Sequence, residues 1–159
     1  MQLFDAYFMR MALDEARRAA EEGEVPTGCV IVEEPADPAA DASEVRILGR
    51  AHNRVEGLGD ATAHAEMLAL AQAFAARGGW RLNGTRLYVT KEPCPMCAGA
   101  ILNAHIPQVY FGAYDFKNGA CGTITNLFEM PFNFKPAYTG GIMEQECADL
   151  LKSFFKRLR

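Results

Sequence analysis

The chain has 159 residues, 50% hydrophobic and 23% charged, with 16 Lys and Arg against 20 Asp and Glu for a formal net charge of −4. This is ordinary globular usage; it excludes collagen, coiled coil and disorder, and the length suits one domain over residues 1–159 whose core needs no disulfide staples. The acidic balance argues against a protein that coats nucleic acid non-specifically and leaves room only for a local basic surface.

Met1-Gln2-Leu3-Phe4-Asp5 has no basic stretch and carries an early acid, unlike a secretory leader. No apolar run approaches the roughly 18 residues of a membrane span. A cytoplasmic, reducing setting is expected, in which the five cysteines suggest metal binding or catalysis before disulfides.

In chain order, residues 4–22 predict a helix, with Phe4, Tyr7, Phe8 and Met11 at three- and four-residue steps and Gly23 as its stop. Residues 28–32 predict a buried strand and residues 45–51 a second one. The intervening 33–44 carries two prolines and five acids and is expected to be a solvated hairpin loop without chemistry. An Ala/Leu/Met-rich helix is expected over 63–76, closed by Gly78-Gly79. Strands follow at 85–90 and 109–113, around a helix at 95–103 whose Ala98, Gly99 and Ala100 permit close approach to a neighbour. A last helix over 144–158 is expected to turn Ala148, Leu151 and Phe155 to one side. The pattern is α/β: a mixed central β-sheet covered by helices on both faces.

Two short runs carry chemistry, His64-Ala65-Glu66 and Pro93-Cys94-Pro95-Met96-Cys97. A C-x-x-C pair at a helix start puts both sulfurs near the first turn, where the positive end of the helix favours thiolates. Zinc takes thiolate and imidazole ligands, although a redox dithiol has the same spacing. His64 and Glu66 lie about 200° apart around an ideal helix, so they converge only where a helix begins and its N-terminus faces the site. One His and two Cys leave a fourth position open, which is the catalytic pattern. Cys121, in a Gly-flanked loop, is the candidate for a fourth ligand; Cys29 and Cys147 read as core residues. Beside an open zinc, Glu66 is a general base for bound water. The joint pattern H-x-E … P-C-x-x-C is a signature of zinc nucleobase deaminases.

At these residues the chain resembles the cytidine-deaminase superfamily, and within it the bacterial tRNA-specific adenosine deaminases. The likeness extends through Glu24-Val25-Pro26-Thr27-Gly28, Ala51-His52-Asn53-Arg54, Asp60 to Glu66, Leu87 to Ala100, Phe111-Gly112-Ala113 and the ending with Cys147, Leu150-Leu151 and Phe154-Phe155. The resemblance implies a three-layer cytidine-deaminase-like fold and one zinc per chain on His64, Cys94 and Cys97. It implies that Glu66 shuttles protons and that Asn53 bonds a flipped base, with Ala65 and Pro93 also at the substrate. It further implies a homodimer acting on a tRNA anticodon stem-loop, converting wobble adenosine to inosine. The terminal basic cluster Lys152, Lys156, Arg157 and Arg159 is the candidate for phosphate contacts.

The chain departs from the family at several places. Ala61 stands for Pro, Thr27 and Cys29 for an apolar residue and Ala, and Lys91 for Leu. Two expected arginines give way to His105 and Gln108 in Ala104-His105-Ile106-Pro107-Gln108-Val109, and a His to Phe134. Those losses favour an alternative, a deaminase of a free base or nucleoside of the guanine or cytosine type. A non-catalytic zinc module is the third reading, and Glu66 argues against it.

Overall fold

Side-chain alternation decides which face of each strand is which. The computed structural model describes residues 3–158. In β1 (Gly28–Glu33), β3 (Thr85–Lys91) and β4 (Gln108–Ala113), the odd-numbered Cys29, Ile31, Leu87, Val89, Val109 and Phe111 enter one apolar cluster. The even-numbered Val30, Val32 and Tyr88 enter another, with Tyr110 packed against it. Burial on both faces forces helices onto both, giving three layers. With β2 (Ile47–His52) and β5 (Ala137–Thr139), the strand order is β2-β1-β3-β4-β5. β1 is antiparallel to both neighbours, while β3, β4 and β5 run parallel.

The odd-numbered face carries α3 (Ala65–Arg77) and α4 (Pro95–Ala104), and the even-numbered face carries α1 (Leu3–Glu21) and α5 (Glu144–Arg157). Two glycines let helices sit close to the sheet. A Cβ on Gly28 would lie 1.9 Å from the Ala12 carbonyl oxygen of α1, and one on Gly49 would lie 2.3 Å from that of Ala69 in α3. The crossover β3-α4-β4 joins parallel strands, so α4 begins at the end of β3 where Lys91, Glu92 and Cys94 stand. Among the described residues, no helix is long and apolar enough to cross a membrane.

The expected elements are present, with differences that tertiary contacts explain. The segment 33–44 is more than a solvated loop: Glu34 accepts two hydrogen bonds from Arg86, and Asp41 caps a short 3-10 helix, Ala42–Glu44. Strand β2 starts at Ile47 rather than residue 45 because the 3-10 helix and its cap take up 41–45. Ala148 and Leu151 of α5 pack against the core as expected, beside the buried Cys147 and Phe154; Phe155 is the exception, 46% exposed. The one-turn α2 (Val55–Leu58) and β5 are too short to carry a periodic signal in the sequence. Ala98 is buried in the core, so only Gly99 and Ala100 of the expected small-residue face are half-exposed.

Candidate active site

Three donor atoms meet between two helix starts. His64 is the N-cap of α3 and Cys94 the N-cap of α4, both in extended conformation, and neither side chain caps its own helix. Pro95 occupies the first turn of α4, where its missing N–H costs nothing. Cys97 sits one turn on. The result is Nδ1 of His64 at 3.6 Å from Cys94 Sγ and 3.5 Å from Cys97 Sγ. A tetrahedral zinc with Zn–S of about 2.3 Å and Zn–N of about 2.05 Å sets its S and N ligands about 3.6 Å apart. These residues therefore fit zinc by spacing and by donor chemistry, with all three atoms within 4.8 Å of one another. Cys121 does not join them: it is buried, its N–H is bonded to Glu92, and its backbone bridges Asn126.

Thiol chemistry at the cluster suits a cation. The hydrogen bond from Cys97, joined by one from His64, pulls the Cys94 thiol down to about 4. The same sharing pushes Cys97 up. Two sulfurs that share one proton become two thiolates when a divalent cation takes the proton's place.

Glu66 lies in the first turn of α3, 3% exposed, on the wall of a cavity of about 560 Å³ that also reaches His64 and Cys94. Burial lifts its carboxyl above the ordinary range. Asn53 lines the same cavity. The backbone N–H of Asn53 donates to the Thr27 carbonyl at 3.1 Å, and its side-chain Oδ1 accepts the Ala65 N–H at 2.7 Å. The amide is thereby oriented, and its Nδ2 has no protein partner among the described residues. Ala65 and Pro93, expected at the substrate, are both buried and do not line the cavity. The Ala65 N–H is already committed to Asn53, and the Pro93 carbonyl accepts the Ala120 N–H.

Residues outside the H-x-E and P-C-x-x-C runs complete the walls of the cavity. Glu24 accepts the Glu56 and Gly57 N–H groups at the start of α2, at 2.9 and 2.8 Å. Glu92, 1% exposed, accepts the N–H groups of Asp115, Cys121 and Thr123 together with the Thr123 hydroxyl. One carboxylate thus braces the loop after β4, and Gly119 leaves room for it, since a Cβ there would lie 2.5 Å from Glu92. Phe154, Phe155 and Leu158 of the C-terminal segment line the cavity as well. Lys152, Lys156 and Arg157 are exposed on that segment and make no ion pair among the described residues. Arg159 lies outside the described residues.

The fold and this centre define a zinc-dependent nucleobase-type deaminase. Residues 3–113 match the cytidine and deoxycytidylate deaminase zinc-binding region, and the chain belongs to that family. Within it, the chain belongs with the tRNA-specific adenosine deaminases. It is 44% identical over 156 residues to the tRNA-specific adenosine deaminase of Bacillus subtilis (strain 168), covering 98% of this chain and 91% of that protein. It is 42% identical over 154 residues to that of Aquifex aeolicus (strain VF5), covering 96% and 95%. A solved structure from a study of A-to-I editing by tRNA deaminases at the wobble position superposes with a TM-score of 0.81 at 41% identity, covering 91% and 98%. A guanine deaminase from Nitrosomonas europaea, at 22% identity and a TM-score of 0.71 over 92% of this chain and 81% of that one, shares the fold alone.

Proposed function

We propose that this chain converts the wobble adenosine of a tRNA anticodon to inosine by hydrolysis, releasing ammonia, with residues 1–159 acting as one deaminase domain. The observation that carries this reading is a buried carboxylate, Glu66, on the wall of the cavity that His64 and Cys94 of the His64, Cys94 and Cys97 donor cluster also border, in a chain whose near-full-length relatives are tRNA adenosine deaminases. His64, Cys94 and Cys97 would hold one zinc per chain. The metal, when bound, lowers the pKa of water toward neutrality and so supplies the nucleophile.

The remaining steps belong to the protein. Asn53 Nδ2, oriented by the bond that its Oδ1 accepts from the Ala65 N–H, donates to an acceptor on the flipped base. Loop bases are already partly unstacked, so flipping one costs little. Glu66 takes a proton from the attacking water and gives it to ring N1 as oxygen bonds to C6. It then takes the second proton from that oxygen and gives it to the departing amine as the C6–N bond breaks. The balance is adenosine plus water to inosine plus ammonia. Ala65 acts through Asn53 rather than on the substrate. Lys152, Lys156 and Arg157 meet backbone phosphates at the mouth, beside Phe155 and Leu158.

A homodimer and a cytoplasmic setting are part of the same reading. Trp80 and Phe132 are each exposed at 55% around a groove that also includes Gly99 and His105, an apolar surface suited to a second copy. Turnover of an anticodon stem-loop bearing a wobble adenosine, measured beside free adenine, adenosine, guanine and cytosine, tests the substrate. Turnover confined to a free base would reject it in favour of the small-molecule alternative.

A further inference from the structure

Charge around the cavity is lopsided. Glu24, Glu56, Glu66, Glu92 and Asp115 line it, and among the described lining residues Lys91 is the only Lys or Arg. Glu24 and Glu92 direct their carboxylates to backbone N–H groups, so no side-chain cation offsets them. An RNA loop brings one phosphate on each side of the target nucleotide, and such a wall repels both unless a cation meets one of them.

Lys91 is placed for this. It is the last residue of β3, in register with Ala113 of β4, three positions before Cys94. Its Nζ lies 3.5 Å from Asp115 Oδ2, with side-chain exposures of 29% and 12%. Asp115 is itself anchored, since its Oδ1 accepts the N–H groups of Lys117 and Asn118 at 3.0 and 3.1 Å. A contact of 3.5 Å is longer than a charge-assisted hydrogen bond of about 2.8 Å, and an ammonium has three donors. Lys91 is therefore oriented by Asp115 yet has donors to give.

We propose that Lys91 binds a phosphate of the RNA strand adjoining the target nucleotide, with Asp115 holding the ammonium in place until the strand enters. The proposal rests on the RNA-editing reading above. The competing role is plain neutralisation of Asp115, and the two differ in how binding responds to salt.

The test is steady-state kinetics on an anticodon stem-loop across a KCl series, for wild type, Lys91→Met, Lys91→Arg and the double variant Lys91→Met/Asp115→Asn. Lys91→Met is expected to raise KM about tenfold at 0.1 M salt, as loss of one hydrogen bond to a charged group does. It should reduce the slope of log KM against log salt by about 0.7, the share of one single-strand phosphate. Lys91→Arg should keep the wild-type slope. The double variant should stay weak and shallow. Recovery of wild-type KM and slope by the double variant, or an unchanged slope in Lys91→Met, would overturn the phosphate role. Wild-type turnover of the RNA is read first and bears on the function alone, so a failure of that reading is told apart from a failure of Lys91. Melting temperatures of all variants control for folding; if Lys91→Met is unfolded, Lys91→Gln carries the same two expectations.

Discussion

The two faces of the sheet solve different problems. Under α3 and α4 the core is almost wholly apolar, from Cys29 and Ile31 to Phe111 and Phe128, with the buried Thr85 hydroxyl satisfied by the Leu82 carbonyl, and the site's polar chemistry sits at the helix starts. Under α1 and α5, polar groups are built into the packing. Tyr88 donates to Asp5 at 2.7 Å, Arg86 joins Asp5 to Glu34, and Glu15 receives Arg50, His52 and Arg18. Shape fixes how deep α3 and α4 sit on this face, and a few bonds at the rim, Ala65 N–H to Asn53 and Arg50 N–H to Gln72, fix α3 along it, so that His64 Nδ1 and Cys94 Sγ end 3.6 Å apart. The other face ties α1 to the strands by directional bonds, which specify its register as well as its depth.

Experiments that break this division should differ in size. The largest effect belongs to the metal centre: Cys94→Ala with Cys97→Ala is expected to abolish both bound zinc, by metal analysis, and turnover. Full zinc retention would mean that the ligands are elsewhere. Glu66→Gln should come next, with kcat lower by about 10²–10⁴ as expected for a lost general acid–base. Zinc content and the melting curve should be unchanged; loss of metal would show that Glu66 coordinates rather than transfers protons.

Packing comes third, and it tests whether both faces depend on close approach. Gly28→Ala drives a Cβ into α1 and Gly49→Ala drives one into α3. Each should cost about 1–3 kcal/mol in denaturant unfolding. A cost confined to Gly28→Ala would show that α3 yields where α1 does not.

A smaller change runs the other way. Thr27 is 2% exposed, and its hydroxyl is the one buried side-chain polar atom without a partner among the described residues. Thr27→Val removes that group at constant shape and should stabilise by about 1 kcal/mol, or roughly 2–4 °C in melting temperature. A lower melting temperature would show that the hydroxyl has a partner.

The smallest effect is with pH. Burial alone would raise the Glu15 carboxyl, but hydrogen bonds from His52 and Arg50 and the charges of Arg50 and Arg18 outweigh it, so the pKa is lowered from 4.5. The stability this contributes is present above about pH 4.5 and is lost as pH falls through the lowered folded value. Glu15→Gln should flatten that part of the stability–pH curve, and an unchanged acid limb would remove Glu15 as a cause.

Local pattern was enough for much of this molecule. Helical stripes and short apolar strand runs are set by which side chains must leave water, so α1, β1, β2, α3, β3, α4, β4 and α5 are legible. So is the metal centre, because H-x-E and P-C-x-x-C place their donors within two or three positions of a helix start, and only the joining of the halves is non-local. Other features depended on partners far away in sequence. Glu92 organises residues 115–123 from 23 to 31 positions away, and Glu24 caps α2 from 32 to 33. A carboxylate's role as a brace is invisible until the N–H groups it serves are brought to it. The phase of α5 was likewise decided by what it packs on: Cys147 fits against Gly112 of β4, and this leaves Phe155 at the cavity. Sequence alone determined the longer elements and the donor set; tertiary structure decided the short ones and which charges face the cavity, because these depend on hydrogen bonds between segments that only folding brings together.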